Sequence, residues 1–133
     1  LNLLKSHYLD IINHSIQKLP NEACGLLAGK DDVVELVIFI SNQYHSPTRF
    51  FMEPLELLNA FNWIDEHGME LMAMFHSHPN GPEHPSLTDL KEFFYPGIES
   101  MIVSPQGENW RLKSFRIEQA GYVEIPYQIR PDG

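Results

Sequence analysis

Leu71-Met72-Ala73-Met74-Phe75-His76-Ser77-His78-Pro79 runs from five apolar residues directly into two histidines and a proline. A short apolar run of this kind reads as a buried strand, with the histidines at its end. Six turn-forming residues follow, from Asn80 to Pro85. Ser86-Leu87-Thr88-Asp89 then opens a helix that Pro96-Gly97 is expected to close.

The flanking segments complete the fold class. Upstream, Leu4, Tyr8, Ile11, Ile12 and Ile16 mark a helical stripe ended by Pro20-Asn21. Ala23 to Ala28 and Val33 to Ile40 flank Gly29-Lys30-Asp31-Asp32 and read as a β-hairpin. Arg49 to Met52 is expected as a short strand. Pro54 begins a helix in which Leu57, Leu58, Phe61 and Ile64 repeat at helical spacing as far as Gly68. Downstream, Ser100 to Val103, Trp110 to Ile117 and Tyr122 to Ile129 are strands. The last is expected to place Val123, Ile125, Tyr127 and Ile129 on one face. A mixed sheet with helices packed on it, an α/β (α+β) domain, follows from this order.

The histidines also carry chemistry. Period-two alternation puts His76 and His78 on the same strand face, close enough to share one ion. Asp89, in the first turn of the next helix, can be folded back by the intervening loop. Nitrogen and oxygen ligands without thiolate suit zinc best. Three protein ligands plus an open position characterise a catalytic rather than a structural zinc. Each half alone is ordinary, since His-x-His recurs by chance and Ser86-x-x-Asp89 is also a capping box. Hydrolysis further needs a carboxylate to carry a proton. Glu22, in Pro20-Asn21-Glu22-Ala23-Cys24-Gly25, is a candidate, with Glu35, Glu53 and Glu83 as competitors that position alone does not eliminate.

Composition narrows the partners. The chain has 133 residues, 43% hydrophobic and 20% charged, which fits one domain over 1–133 with one core. Its formal charge of -9 and the lack of a basic run argue against nucleic acid. No apolar run is long enough to span a membrane, and no signal peptide is visible. The single cysteine, Cys24, excludes a disulfide framework and is compatible with a reducing cytoplasm. A nucleophilic Cys24 would want a histidine partner, and none is identifiable. His84 lies in the loop between His78 and Ser86 and reads as solvated. His7, His14, His45 and His67 receive no role, and Met72 and Met74 read as core on the histidines' strand face.

Pro-x-Glu-x-Cys-Gly-Leu-Leu-x-Gly from Pro20 to Gly29, followed by His-Ser-His-Pro-x6-Ser-x-x-Asp from His76 to Asp89, resembles the JAMM (MPN+) metalloprotease family. Asn42, Ser46-Pro47 with Phe50, the Pro54 helix and Ile102-Val103-Ser104 extend the agreement over nearly the whole chain. The resemblance implies a curved mixed sheet flanked by helices, similar to cytidine deaminases. It implies one zinc ion on His76, His78 and Asp89, Glu22 as general base, and Ser86 as oxyanion donor. Lacking room for the insertions of eukaryotic deubiquitinases, the chain looks like the minimal prokaryotic type. Those relatives cleave after the C-terminal Gly-Gly of ubiquitin-like or sulfur-carrier proteins. The implied activity is therefore a peptidase or isopeptidase using metal-activated water on such a tail, with strand addition to an exposed sheet edge as one way to hold it. The alternative is a non-catalytic scaffold of the same fold, which predicts a broken ligand set or a missing base.

Overall fold

The computed structural model describes residues 1–93, 95–119 and 121–133. In chain order its elements are β1 (Asn2–Leu4), α1 (Lys5–Gln17), β2 (Cys24–Lys30), β3 (Val33–Ile40), α2 (Pro54–Glu66) and β4 (Glu70–Ser77). They continue with α3 (Leu87–Glu92), β5 (Glu99–Gln106), β6 (Asn109–Glu118), β7 (Gly121–Ile125) and β8 (Gln128–Arg130). The strands form one sheet in the order β7-β6-β5-β4-β2-β3-β1-β8. The β4–β5, β1–β3 and β1–β8 pairs are parallel, and the others antiparallel.

The expected hairpin is present. β2 and β3 turn through Asp31 and Asp32, both at positive φ (52° and 64°), the geometry that matches the twist of a two-residue loop. The C-terminal strand differs from expectation. Tyr122 to Ile129 divides into β7 and β8, which lie on opposite edges of the sheet. Laid flat, eight strands at ~4.8 Å spacing would hold these edges about 34 Å apart. The three Cα steps from Ile125 to Gln128 reach at most ~11 Å. The sheet must therefore curl until its edges approach. Tyr127, at the crossing, donates its hydroxyl proton to the Leu112 carbonyl.

The curl makes two cores. Leu3, Ile11, Leu27, Phe75, Met101 and Val103 pack on the face covered by α1. That helix touches β3 and β8 as well as β5 and β6, so it spans the two halves of the curl. Cys24, Leu26, Ile40, Ala60, Ile64 and Met74 form the other core, beneath α2.

Several local expectations are corrected. Residues 2–4 form β1, which pairs with β3 and β8, so Leu4 precedes the first helix; Ile16 is exposed. Arg49 to Met52 is not a strand and keeps only the Asn42–Met52 bridge. The Asn42 side chain takes over the hydrogen bonding there. It accepts from the Tyr44 and Phe51 N–H groups and donates to the Arg49 carbonyl. α3 stops at Glu92, before Pro96-Gly97, because Phe93 turns extended and packs with Tyr95 on the α2 core. A bulge in β4 leaves Met72 between the partners of Leu27 and Ala28. Met72 therefore packs on the α1 core and Met74 on the α2 core, not on one face.

Candidate metal centre

β4 is an inner strand, between β2 and β5, and its C-terminal end carries the histidines. Alternation places His76 on the α2 face with Met74, and the Phe50 ring stacks on His76 at 4.4 Å. His78 lies just beyond the strand, its N–H bonded to the Val103 carbonyl at 2.8 Å. Both side chains are buried. The antiparallel β2–β4 pairing sets Cys24 opposite His76, so Glu22, two residues before Cys24, arrives beside the histidines. Its backbone is held from the other side too. The Glu22 N–H donates to the Ser46 carbonyl, and Asn42 Nδ2 donates to the Glu22 carbonyl.

Three ligand atoms converge. His76 Nε2 and His78 Nε2 are 3.0 Å apart, and each is 3.1 Å from Asp89 Oδ2. His78 Nδ1 lies 2.7 Å from the Pro82 carbonyl, a contact that requires an Nδ1 proton and leaves the Nε2 lone pair of a neutral ring facing the cluster. Two acceptor atoms, His78 Nε2 and Asp89 Oδ2, thus meet 3.1 Å apart beside His76 Nε2, an arrangement a cation resolves. Tetrahedral ligands at ~2.0–2.1 Å from zinc are roughly 3.3–3.4 Å apart, so the cluster need open by only ~0.3 Å per edge. The donor set fits the ion. Glu22, His76 and His78 also offer ligand atoms within 4.8 Å of one another and are positioned to bind a metal ion.

The two carboxyl groups differ in character. Although burial alone would raise Asp89, contacts with His76 and His78 and the Ser86 N–H hold its carboxyl far below the usual range. Burial pushes Glu22 up to about 8, with His78 opposing and Asp89 adding to the rise. The group is 4% exposed. One carboxylate is therefore permanently charged, while the other exchanges a proton near neutrality. Burial lowers His76, which keeps it neutral and able to ligate. Burial also pulls on His78, but Asp89, the Pro82 carbonyl and Glu22 together leave it raised.

Ser86 and Asp89 form the full capping box. Ser86 Oγ accepts from the Asp89 N–H at 3.0 Å, and Asp89 Oδ2 accepts from the Ser86 N–H at 2.9 Å. This does not exclude a second task, because the Ser86 O–H proton remains free to donate. An apolar cavity of about 410 Å³ opens beside His76 and Asp89, walled by Phe50, Phe51, Leu57 and Phe93. Cys24 is buried, donates its thiol proton to the Ile40 carbonyl, and is pushed up to about 12 by burial, Glu22 and Glu56. A thiol so fully protonated is no nucleophile at neutral pH. Among the competing glutamates, Glu83 pairs with Lys113 and Glu53 caps α2.

The family model for prokaryotic homologs of the JAB domain matches residues 4–118. The chain belongs to this family. The match runs from the last residue of β1 to the end of β6 and includes every residue of the cluster. A desampylase of Pyrococcus furiosus is 35% identical over 106 residues, covering 80% of this chain and 76% of its own. A CysO-cysteine peptidase of Mycobacterium tuberculosis is 29% identical over 127 residues, covering 90% and 87%. The solution structure of a protein from Desulfitobacterium hafniense superposes with a TM-score of 0.89 at 34% identity, covering 98% of this chain and 93% of that one.

The sequence did not assign a role to Ser77, the residue between the two histidines. It is fully buried, and its Oγ accepts from the Ala23 N–H at 2.7 Å. The signal in the sequence was a hydroxyl between two ligands, on a strand face where an apolar residue belongs.

Proposed function

We propose that this JAB-domain protein is a zinc-dependent peptidase or isopeptidase. Its substrate is the bond after the C-terminal Gly-Gly of a ubiquitin-like or sulfur-carrier protein, and one domain over residues 1–133 carries the activity. The observation that carries the proposal is the buried convergence of Glu22 on the His76–His78–Asp89 triangle. The family and the names of the two relatives, a desampylase and a CysO-cysteine peptidase, support the substrate class.

His76 Nε2, His78 Nε2 and Asp89 Oδ2 would hold the ion. Bound there, zinc would polarise the scissile carbonyl and lower the pKa of an attacking water. Glu22 is the proton carrier. Buried beside the cluster, its carboxylate takes a proton from the attacking water and gives it to the leaving amine. Asp89, held ionised, cannot exchange protons near neutral pH. The Ser86 hydroxyl donates to the carbonyl oxygen as negative charge develops there. No covalent intermediate is required.

The carrier tail enters along the cavity beside His76. The sheet edges β7 and β8 are three and four strands from β4, so strand addition at either edge lies too far from the cluster to deliver the scissile bond. Among the described residues no helix is long and apolar enough to cross a membrane. The proposed setting is the cytoplasm.

The test mixes zinc-replete protein with carriers extended beyond Gly-Gly and reads the products by mass spectrometry. Cleavage at the Gly-Gly boundary, abolished by chelator and by Glu22→Gln, is the expected result. Full zinc occupancy with every extended carrier left intact would refute the substrate assignment and favour a binding scaffold.

A further inference from the structure

We infer that Ser77 is the positioning residue for Glu22, the one that lets β4 leave β2 at the metal centre without releasing the base. The argument rests on the proposed role of Glu22 and starts from the β2–β4 ladder. Cys24 stands opposite His76, so the next pair outward is Ala23 opposite Ser77. One half of that pair is regular, with the Ser77 N–H donating to the Ala23 carbonyl at 2.9 Å. In a regular antiparallel ladder such a pair exchanges two main-chain bonds, so the Ala23 N–H would donate to the Ser77 carbonyl. Here it donates to the Ser77 hydroxyl instead, at 2.7 Å. A side-chain oxygen has replaced the strand's own carbonyl.

The replacement has a geometric result. The β2–β4 ladder ends at Cys24–His76, while β4 stays on β5 through the Ser77–Val103 pair and the His78 N–H bond to the Val103 carbonyl. The strands diverge there, and His76, His78 and Glu22 border the space they leave. An ordinary ladder would have continued and left no room for an ion and a substrate. A simple fraying of the ladder would have freed Ala23 and, with it, Glu22. The hydroxyl satisfies both demands. It sits on the α1 face of β4, with Ala73 and Phe75 and opposite His76, so it touches neither ligand nor substrate. Ala23 and Ser77 are both buried, and water cannot substitute for the missing acceptor.

The experiment compares wild type, Ser77→Ala and Ser77→Thr as zinc-loaded proteins. Threonine keeps the hydroxyl and alanine removes it. Displacing a base by about 1 Å costs on the order of 100-fold in rate. Ser77→Ala is therefore expected to lower kcat about 100-fold, with KM and the zinc dissociation constant within about threefold of wild type. Ser77→Thr should restore kcat to within about tenfold. In a Glu22→Gln background Ser77→Ala should cost nothing more, because a residue acting only through Glu22 has nothing left to position.

Amide exchange at Ala23 reads the same bond without activity. It should be slow in wild type and Ser77→Thr, and fast in Ser77→Ala. If Ser77→Ala fails to fold, the wild-type and Ser77→Thr exchange rates and the threonine kcat decide. Equal loss of kcat and of zinc affinity would overturn the inference, as would rate losses that multiply in the double variant or an Ala23 amide that exchanges freely in wild type. A wild type that cleaves no carrier but protects Ala23 as described would refute the proposed activity and leave the hydrogen-bond argument supported.

Discussion

Glu22→Gln should abolish hydrolysis and stabilise the metal-free protein. The substitution keeps size and shape and removes a buried charge. Folding moves the Glu22 carboxyl from its ordinary 4.5 up to about 8, chiefly by burial. Between these values the folded state holds a proton that the unfolded chain has released, so stability falls as pH rises through that window and levels off above it. At 1.36 kcal/mol per unit, the full window corresponds to roughly 4–5 kcal/mol. Glutamine escapes that loss but leaves part of a buried amide unsatisfied, at about 1–2 kcal/mol. The net gain is about 3 kcal/mol at pH 8 and near zero at pH 5, or roughly 10 °C in Tm for a domain of this size. The assay is thermal unfolding of chelator-treated wild type and variant at pH 5, 6, 7 and 8. The substitution also removes the Glu22 contribution that raises His78, so the difference between the two curves reports Glu22 together with its coupling to His78. Saturating zinc should shrink the gap, because the cation compensates the carboxylate. The same variant, zinc-loaded, should lose about 10²- to 10⁴-fold in kcat. A metal-free variant that melts at or below wild type across the whole range would refute the reasoning.

Asp89→Asn and Ser86→Ala separate the two roles of the capping box. Asp89→Asn should cost tenfold or more in zinc affinity by calorimetry; unchanged affinity would make Asp89 only a cap. Ser86→Ala should cost about 1 kcal/mol of stability, retain zinc, and lose about 10²- to 10³-fold in kcat. Chelation should lower Tm, since zinc at 100 times its Kd adds about 2.7 kcal/mol; a calorimetric scan with and without chelator checks it. Gly25→Ala should destabilise by about 1–3 kcal/mol in urea titrations, because its Cβ would overlap the Ile38 carbonyl and the Phe75 ring.

Much of the site was legible because its chemistry is local. His76 and His78 share a face through the strand period alone, and Asp89 follows after one loop. Elements with long, regular patterns, such as β3 and α2, were also readable. Elements set by distant partners were not. β1 is three residues long and exists only because β3 and β8 flank it. The strand expected at Arg49 to Met52 lost to the Asn42 side chain, which answers the same backbone groups. The alternation from Tyr122 to Ile129 continued through a point where the chain changes sheet edges, which a local pattern does not record.

By itself the sequence determined which atoms could hold an ion and the kind of chemistry they would serve. Side-chain type and short-range period depend on neighbours in the chain, so they can be read there. The family resemblance pointed to Glu22, but only the tertiary structure supplies the physical reason that it, rather than Glu35, Glu53 or Glu83, stands at the cluster. That choice follows from the β2–β4 register, a set of hydrogen bonds between residues some fifty positions apart. The same register gave Ser77 its bond to Ala23. Local composition carries no information about which strand will lie beside another; only the closing of the curled sheet supplies it.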